Sequence, residues 1–208
     1  MHKLITSSLL ALSLCSALTQ AATPTNRPAA NAPTSAWSWS GHIDHVNIDA
    51  EAAWLQGIDE GATAIGFAAE RYTNESEMTL SLGASILLYN DNDEFAQYVR
   101  SYWGNESYSE SDASGLMLFA EYGPKYRFGA DNLSFFTVRG GASAILGSER
   151  SISNCSNCYS EKIDIDGGVY GLLGIGQTFG SLDWGLQFQQ YFSGDLDNAI
   201  RLKISGAF

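Results

Sequence analysis

The chain closes on the stretch NAIRLKISGAF, residues 198–208. Apolar and polar side chains alternate along it and an aromatic residue ends it: Ile200, Leu202 and Ile204 alternate with Arg201, Lys203 and Ser205, before Phe208. Successive side chains of a β-strand point to opposite faces, so the pattern predicts a strand with one apolar and one charged face. Such a strand fits a half-buried position in an ordinary secreted sheet. It also fits a membrane strand with lipid on one side.

The same alternation recurs through the chain, and no run has a convincing 3.6-residue helical period. We therefore predict an all-β domain with eight strands. They cover residues 43–54, 62–72, 77–89, 114–128, 133–146, 165–179, 183–193 and 198–208. The sixth strand is so rich in glycine that its two faces cannot be assigned from the sequence.

The connections between these strands alternate in length. Short turns are predicted at residues 73–76, 129–132 and 180–182, longer loops at 55–61, 90–113 and 147–164, and a modest one at 194–198. A membrane barrel has short turns at one end and longer loops at the other. An even number of strands also brings both ends of the domain to the short-turn end.

The N-terminal region differs in composition from the rest of the chain. A basic start followed by a short apolar run predicts a secretory signal peptide over residues 1–21. Residues 22–36 hold three prolines among small polar residues and predict a flexible linker. The barrel domain is assigned to residues 37–208.

Charge and hydropathy restrict the class of protein. The net charge of −12 argues against nucleic-acid binding, because phosphates require a basic surface. No run after the signal peptide approaches the roughly 18 apolar residues of a membrane helix. Barrel strands carry a much weaker hydropathy signal, so a membrane barrel remains compatible with the sequence.

These features together resemble the small eight-stranded outer-membrane β-barrels of Gram-negative bacteria, of the outer-membrane-protein-A and -X kind. The resemblance covers about residues 37–208 and implies an antiparallel, up-and-down transmembrane β-barrel in the bacterial outer membrane, in contact with outer-membrane lipid and lipopolysaccharide. In that class, a terminal aromatic residue with apolar residues at alternate positions before it is the signal for the barrel-assembly machinery. The matching residues are Ile200, Leu202, Ile204 and Phe208, and Gly206 departs from the usual bulky residue.

A soluble, lipocalin-like barrel is the alternative, because the same alternation works with the two faces reversed. The polar face, however, carries glycine, serine and other small residues, which suit a narrow lumen better than a solvated surface. Arg201 and Lys203 on the lipid side would also cost roughly 2–4 kcal/mol each near the membrane midplane. We therefore expect both side chains to point into the lumen.

Five charged residues are predicted to form ion pairs inside the barrel. Glu51 on the first strand can meet Arg201 or Lys203 on the eighth across the barrel closure, and Glu121 on the fourth can meet Arg139 on the fifth. A buried unpaired charge costs several kcal/mol, so each needs a partner. The pairs could fill and register a plugged barrel, or they could gate a narrow pore. The interior of eight strands, just wide enough for side chains to fill, favours the plug.

Cys155 and Cys158 lie in a long loop and are the two cysteines that remain after signal cleavage. Export through an oxidising compartment predicts a disulfide between them. A metal site and free thiols are the alternatives. Zinc would need further ligands, and no second Cys or His pair is present.

Acidic clusters at residues 91–94, 164–167 and 195–198 resemble fragments of calcium loops without the full ligand spacing. We predict solvated loop charge and no resident metal or cofactor. A related hypothesis is that these carboxylates share divalent cations with lipopolysaccharide phosphates.

The class that the chain resembles includes enzymes that modify lipid A with a histidine and a serine partner. His42 and His45 are the histidines after the signal peptide, and their spacing puts them on opposite faces at the start of the first predicted strand. Neither has a serine partner in a recognisable motif, so no enzyme is predicted. The sequence predicts a structural or adhesive surface protein with an unidentified extracellular ligand. A narrow, porin-like pore is the alternative.

Overall fold

The computed structural model describes residues 35–73, 77–100, 106–129, 131–152 and 158–208. The predicted signal peptide and residues 22–34 of the predicted linker lie outside the described residues. The elements are β1 (Ser35–Ile48), α1 (Ala50–Leu55), β2 (Ile58–Thr73), β3 (Met78–Asp91), β4 (Ala96–Arg100), β5 (Glu106–Glu110), β6 (Asp112–Phe128), β7 (Ser134–Ser151), β8 (Ser160–Lys162), β9 (Val169–Phe179), β10 (Leu182–Tyr191) and β11 (Leu196–Ala207). No helix within the described ranges is long and apolar enough to cross a membrane.

Eight of these strands close into one antiparallel barrel. Its order is β1, β2, β3, β6, β7, β9, β10 and β11, and β11 pairs back with β1. The strands β4 and β5 form a separate hairpin between β3 and β6, and β8 pairs with the far end of β7. The predicted all-β, eight-stranded, up-and-down barrel is therefore confirmed.

The two ends of the barrel differ as the loop lengths predict. Short turns join β2 to β3, β6 to β7 and β9 to β10, at the end where β1 begins and β11 finishes, which we term the turn end. The opposite end, the loop end, carries α1, the β4–β5 hairpin and β8.

The first strand differs from the prediction over residues 43–54. The helix α1 occupies the second half of that range, and the strand begins earlier, at Ser35, inside the predicted linker. Asp49 caps the helix, because its side chain accepts hydrogen bonds from the backbone N–H groups of Glu51 at 3.0 Å and Ala52 at 3.2 Å. The alanines that imitate one face of a strand are strong helix formers, and the cap decides between the two structures.

The two faces of the barrel wall have opposite chemistry. On β3, Leu82 and Ile86 are 49% and 57% exposed, whereas Ser81 and Ser85 are 1% and 2% exposed. The apolar face thus points outward, and the polar face lines the lumen. Exposing such a continuous apolar surface to water would be energetically unfavourable, whereas the hydrocarbon of a membrane accommodates it. This orientation is the reverse of a soluble lipocalin-like barrel.

The glycine-rich strand β9 follows the same rule. Leu172 is buried in the lumen and Leu173 is 52% exposed on the outer face. Gly174 also faces inward, where an added Cβ would come 2.7 Å from the hydroxyl of Thr137 and 2.8 Å from Cγ of Gln187. Glycine at this position lets neighbouring inward side chains cross a narrow interior.

An apolar cluster fills the lumen towards the loop end. Its larger members are Val46, Ile48, Ile58, Leu87, Tyr89, Met117, Ile163, Ile165, Tyr170, Leu172, Tyr191 and Leu196. The helix α1 adds Ala53, which is 1% exposed, so the first loop packs into the mouth of the barrel. Polar side chains therefore occupy the middle and the turn end.

Candidate functional site in the barrel lumen

A chain of ion pairs begins in the middle of the lumen. Arg201 on β11 holds the carboxylate of Asp44 on β1 through two nitrogens, with Nε–Oδ1 and Nη2–Oδ2 distances of 2.9 Å each. Its Nη1 lies 2.6 Å from Oε1 of Glu121 on β6. Each of the three residues is 1% exposed. The pairs connect the closure of the barrel to the opposite wall.

The chain of ion pairs continues towards the turn end through residues of β7 and β2. Nη1 of Arg139 lies 3.3 Å from Oε2 of Glu121 and 2.9 Å from Oε1 of Glu70. Lys203 forms an ion pair with the same Glu70. Together with the pairs above, three cations face three carboxylates. This balance offsets the cost of burying the charges, because each has at least one partner of opposite sign.

Of the predicted ion pairs, that of Glu121 with Arg139 is present, and that of Glu51 with Arg201 or Lys203 is wrong. Glu121 and Arg139 are in contact, as the pairing of neighbouring strands suggested. Glu51 meets neither Arg201 nor Lys203, because it lies exposed on α1, beyond the end of β1. Asp44, the cross-strand neighbour of Arg201 in the β1–β11 register, takes its place.

Asp44 and Glu70 were missed for different reasons. Asp44 lies within the first predicted strand, but a strand that points Glu51 inward places Asp44 on the outward face with Val46 and Ile48. In the structure these three side chains are buried in the lumen, so the predicted faces of the first strand are the wrong way round. Glu70 stands on the polar face of the second predicted strand, where it is 4% exposed in the structure. The predicted lumen contains three cations and two carboxylates, so one inward cation lacks a partner. This imbalance is the sequence signal that points to Glu70.

His42 also lies inside the barrel and has a serine neighbour. Its Nε2 lies 2.8 Å from Oγ of Ser85, and its ring packs edge-to-face against Phe119 with centroids 5.3 Å apart. The predicted position at the start of the strand is wrong, because β1 begins well before His42. His45 is exposed on the outer face, as the spacing predicts. Both members of the His42–Ser85 pair are buried, and the absence of enzyme activity stays a prediction.

The turn end of the lumen contains a cavity of about 260 Å³. Lys125 and Arg127 of β6 reach across it to Asp183 of β10, with N–O distances of 2.6 and 3.1 Å. Arg139 and Glu70 form part of its lining and connect it to the ion-pair chain. An adjoining space of about 10 Å³ lies deeper, between β7, β10 and β11. Charged side chains thus continue from mid-barrel to the turn end.

At the loop end, one buried arginine, Arg150, connects several loops. Nε of Arg150 on β7 lies 2.5 Å from Oδ1 of Asp91, and Nη1 lies 3.1 Å from Oε2 of Glu161. Its Nη2 donates to the backbone carbonyls of Gln56 at 3.1 Å and Gly57 at 2.9 Å. These partners belong to β3, β8 and the segment after α1, so Arg150 joins the loops into one unit.

Two exposed groups in the loops have raised pKa values. The hydrogen bond with Glu110 and the negative charge of that carboxyl raise the pKa of Glu94. The hydrogen bond to Asp164, at an Nζ–Oδ1 distance of 2.8 Å, and the charge of this carboxylate raise the pKa of Lys162. Glu94 and Lys162 therefore hold their protons more tightly than isolated side chains would.

The remaining predicted sites lie in the loops. Cys155 is outside the described residues, so its disulfide with Cys158 stays a prediction. Asp195, from one acidic cluster, accepts a hydrogen bond from the backbone N–H of Asp166 at 2.7 Å. Within the described ranges, no group of three or more His, Cys, Asp or Glu side chains is arranged to hold a metal ion. Sharing of divalent cations with lipopolysaccharide also stays a prediction.

The predicted assembly residues face outward. Ile200, Leu202 and Ile204 on β11 are 45–49% exposed, and Phe208 follows the strand at the turn end with 82% exposure. Arg201 and Lys203 between them are buried, which confirms the predicted orientation of the closing strand. Recognition of these residues by an assembly machinery stays a prediction.

A closed antiparallel wall of eight strands, apolar outside and charged inside, defines a small β-barrel of the outer-membrane type. No protein-family profile and no curated protein matches the chain. Among solved structures, it is similar to the crystal structure of Neisserial surface protein A, with a TM-score of 0.45 and 8% identity over 83% of this chain and 97% of that chain. So distant a likeness carries no argument about function, which has to rest on the lumen and the loops.

Proposed function

We propose that this protein is a plugged barrel of the bacterial outer membrane with a structural or surface-interaction role. The filled interior is the observation that carries the proposal. The ion-pair chain from Asp44 to Lys203 crosses the lumen, and the apolar cluster packs the loop end above it. Eight strands leave little space beyond that taken by such side chains.

Organised loops support the interaction role. Tyr98 and Tyr108 pair edge-to-face on the β4–β5 hairpin with centroids 5.3 Å apart, and they are 55% and 75% exposed. Exposed tyrosines of this kind are enriched in binding surfaces, because they offer large contact area with few rotatable bonds. The loop end, held together by Arg150, would present them outside the cell to a ligand that is still to be identified.

The membrane partners follow from the outer face and from the end of the chain. The apolar outer wall would contact outer-membrane lipid and lipopolysaccharide, and β11 with Phe208 would engage the barrel-assembly machinery. Fractionation tests this location. We expect the protein in outer-membrane extracts, with a folded form that migrates faster on gels than the boiled form. Recovery as a soluble periplasmic protein would contradict the proposal.

Conductance in planar bilayers tests the plug. We expect no steady channels from the unaltered protein, because the ion pairs block the middle of the lumen and the apolar cluster blocks the loop end. The variant Glu121→Gln weakens the central contacts of Arg201 and Arg139 and should leave the apolar cluster in place. Steady channels from the unaltered protein would overturn the plugged-barrel proposal.

A narrow pore is the second candidate, and the cavity at the turn end favours it. That cavity supplies part of a polar route, from the short turns to the ion-pair chain. A pore would also require the apolar cluster at the loop end to open. Channels that appear only when α1 is released, for example by Ala53→Asp, would support this second function.

A further inference from the structure

The turn end of the lumen has a charge opposite to that of the whole protein. Two of the eleven basic residues, Lys3 and Arg27, precede residue 35. Four of the other nine line the cavity and the adjoining space: Lys125, Arg127, Arg139 and Lys203. The chain as a whole has a net charge of −12. A concentration of cations in an acidic protein needs a physical reason beyond solubility.

Among the described residues, the carboxylates that line these spaces do not balance the four cations. Two carboxylates line the same spaces, and each is shared by two basic side chains. Asp183 pairs with both Lys125 and Arg127, and Glu70 pairs with both Arg139 and Lys203. Glu121 of mid-barrel also pairs with Arg139. In the middle of the lumen the ratio is reversed, since Arg201 is shared by two carboxylates. Arg139, Lys203 and Glu70 belong to the balanced set of three cations and three carboxylates, so the surplus among the described residues is one positive charge, where Lys125 and Arg127 share Asp183.

Buried polar atoms around the cavity lack partners among the described residues. Arg139 and Thr79 line the cavity and are 4% and 3% exposed, yet Nε of Arg139 and Oγ1 of Thr79 make no hydrogen bond. Thr137 lines the adjoining space, is 1% exposed, and its Oγ1 is equally unpartnered. Buried donors without acceptors are costly, so Nε of Arg139 and the hydroxyls of Thr79 and Thr137 indicate that an acceptor enters the cavity. Oε1 of Gln187, which also lines the adjoining space, is an unpartnered acceptor.

We propose that the turn end of the lumen binds a small oxyanion, the carboxylate or phosphate group of a solute on the side of the short turns. The positive surplus supplies the attraction, and Nε of Arg139 with the hydroxyl of Thr79 supplies unused donors for its oxygens. The volume of about 260 Å³ is slightly below the usual size of a ligand pocket and restricts the occupant to a small molecule. Closure of the loop end makes this a binding site with one entrance.

The test uses the full barrel in detergent micelles at low salt, titrated with inorganic phosphate, acetate or glycerol while amide chemical shifts are followed. We expect saturable shifts at Thr79, Thr178 and Ser181 with either anion, and none with glycerol. Shifts with phosphate alone or with acetate alone would assign the site to that anion. Equal shifts with glycerol, or shifts confined to the β4–β5 hairpin, would overturn the proposal.

Variants connect the signal to the site. Lys125→Met removes one cation while Arg127 still pairs with Asp183, and we expect it to weaken anion binding about tenfold. Thr79→Val keeps every charge and nearly the same shape, and it should weaken binding several-fold. The control is Lys162→Met, which removes an exposed lysine at the loop end and should leave affinity unchanged. Heat-modifiable migration verifies folding of each variant, and equal affinities in all of them would refute the site.

Discussion

Arg201 is the residue on which the buried charges of mid-barrel converge. It binds Asp44 and Glu121, and its guanidinium lies 5.0 Å from the ring centroid of Phe119. The planar guanidinium can hold two carboxylates in fixed directions, which lysine cannot do. The residue therefore fixes the register of β11 against β1 at the closure.

Loss of Asp44 should destabilise the barrel strongly. The variant Asp44→Ala leaves Arg201 buried with only Glu121 as a carboxylate partner, and breaking such a pair costs about 3–5 kcal/mol. Urea unfolding of the protein in lipid vesicles measures the loss. Glu51→Ala is the matched control, because Glu51 is exposed on α1 and should change stability by less than about 1 kcal/mol. Equal losses for both variants would contradict the assigned partner of Arg201.

The titration of Glu94 gives a second prediction at this scale. Since the hydrogen bond and charge of Glu110 raise the pKa of Glu94, the folded loop binds its proton more tightly than the unfolded chain does. The contribution to loop stability is fully present below the unfolded pKa of Glu94. It is lost as the pH rises through the folded pKa.

Carboxyl NMR titration tests this sign. We expect Glu94 to titrate above the ordinary range for glutamate, and Glu110→Gln to move its pKa back towards that range by removing the neighbouring charge. Glu161→Gln makes the same change on another loop carboxylate and should leave the titration of Glu94 unaltered. A Glu94 pKa below the ordinary range would disprove the assignment.

At the scale of elements, β11 combines two chemical faces in one strand. Its inward residues extend the polar lumen, and its outward residues extend the lipid-facing wall to Phe208 at the turn end. The strand must also pair on both sides, with β1 and β10, to close the barrel. A slip of one residue would exchange the two faces and expose both cations to lipid.

Shortening the aromatic end of this element should impair assembly more than stability. We expect Phe208→Ala to lower the amount of folded barrel recovered from outer membranes, because the exposed ring contributes little packing to the finished barrel. Phe192→Ala is the control, since Phe192 is 72% exposed at the loop end. Quantification of the fast-migrating form on gels gives the result. An equal reduction for both variants would count against an assembly signal at Phe208.

At the scale of the whole molecule, the barrel is closed at one end and accessible at the other. The loop end combines the apolar cluster with the contacts of Arg150, whereas the turn end retains a charged cavity. Loops from separate hairpins depend on the same arginine, so they should loosen together. This arrangement suits a rigid external surface on a plugged wall.

Removal of Arg150 tests this dependence. We expect Arg150→Ala to increase hydrogen exchange around α1, β8 and the end of β3 at the same time, because Asp91 and the carbonyls of Gln56 and Gly57 lose a buried partner. Lys162→Ala removes an exposed ion pair in the same region and should change exchange little. Loosening confined to β8 would show that the loops are independent.

The sequence by itself determined the alternation of side chains, the number of barrel strands and the rhythm of turns and loops. These features are local, since they depend on the two-residue period of a strand and on the residues that interrupt it. Residues 200–204 illustrate this, because their faces could be separated without knowledge of any neighbour. The contact between Glu121 and Arg139 followed equally from the pairing of consecutive strands.

The tertiary structure settled the choice between the two orientations of the wall, and it alone decided the contacts of Asp44 and Glu70. Both a soluble and a membrane barrel satisfy the alternation, and the exposure of Leu82 against the burial of Ser81 distinguishes them. The cap at Asp49 ends β1 and removes Glu51 from the wall, and the inward face of β1 makes Asp44 the partner of Arg201. Distances across the lumen follow from closure and register, and these are properties of the complete set of strands.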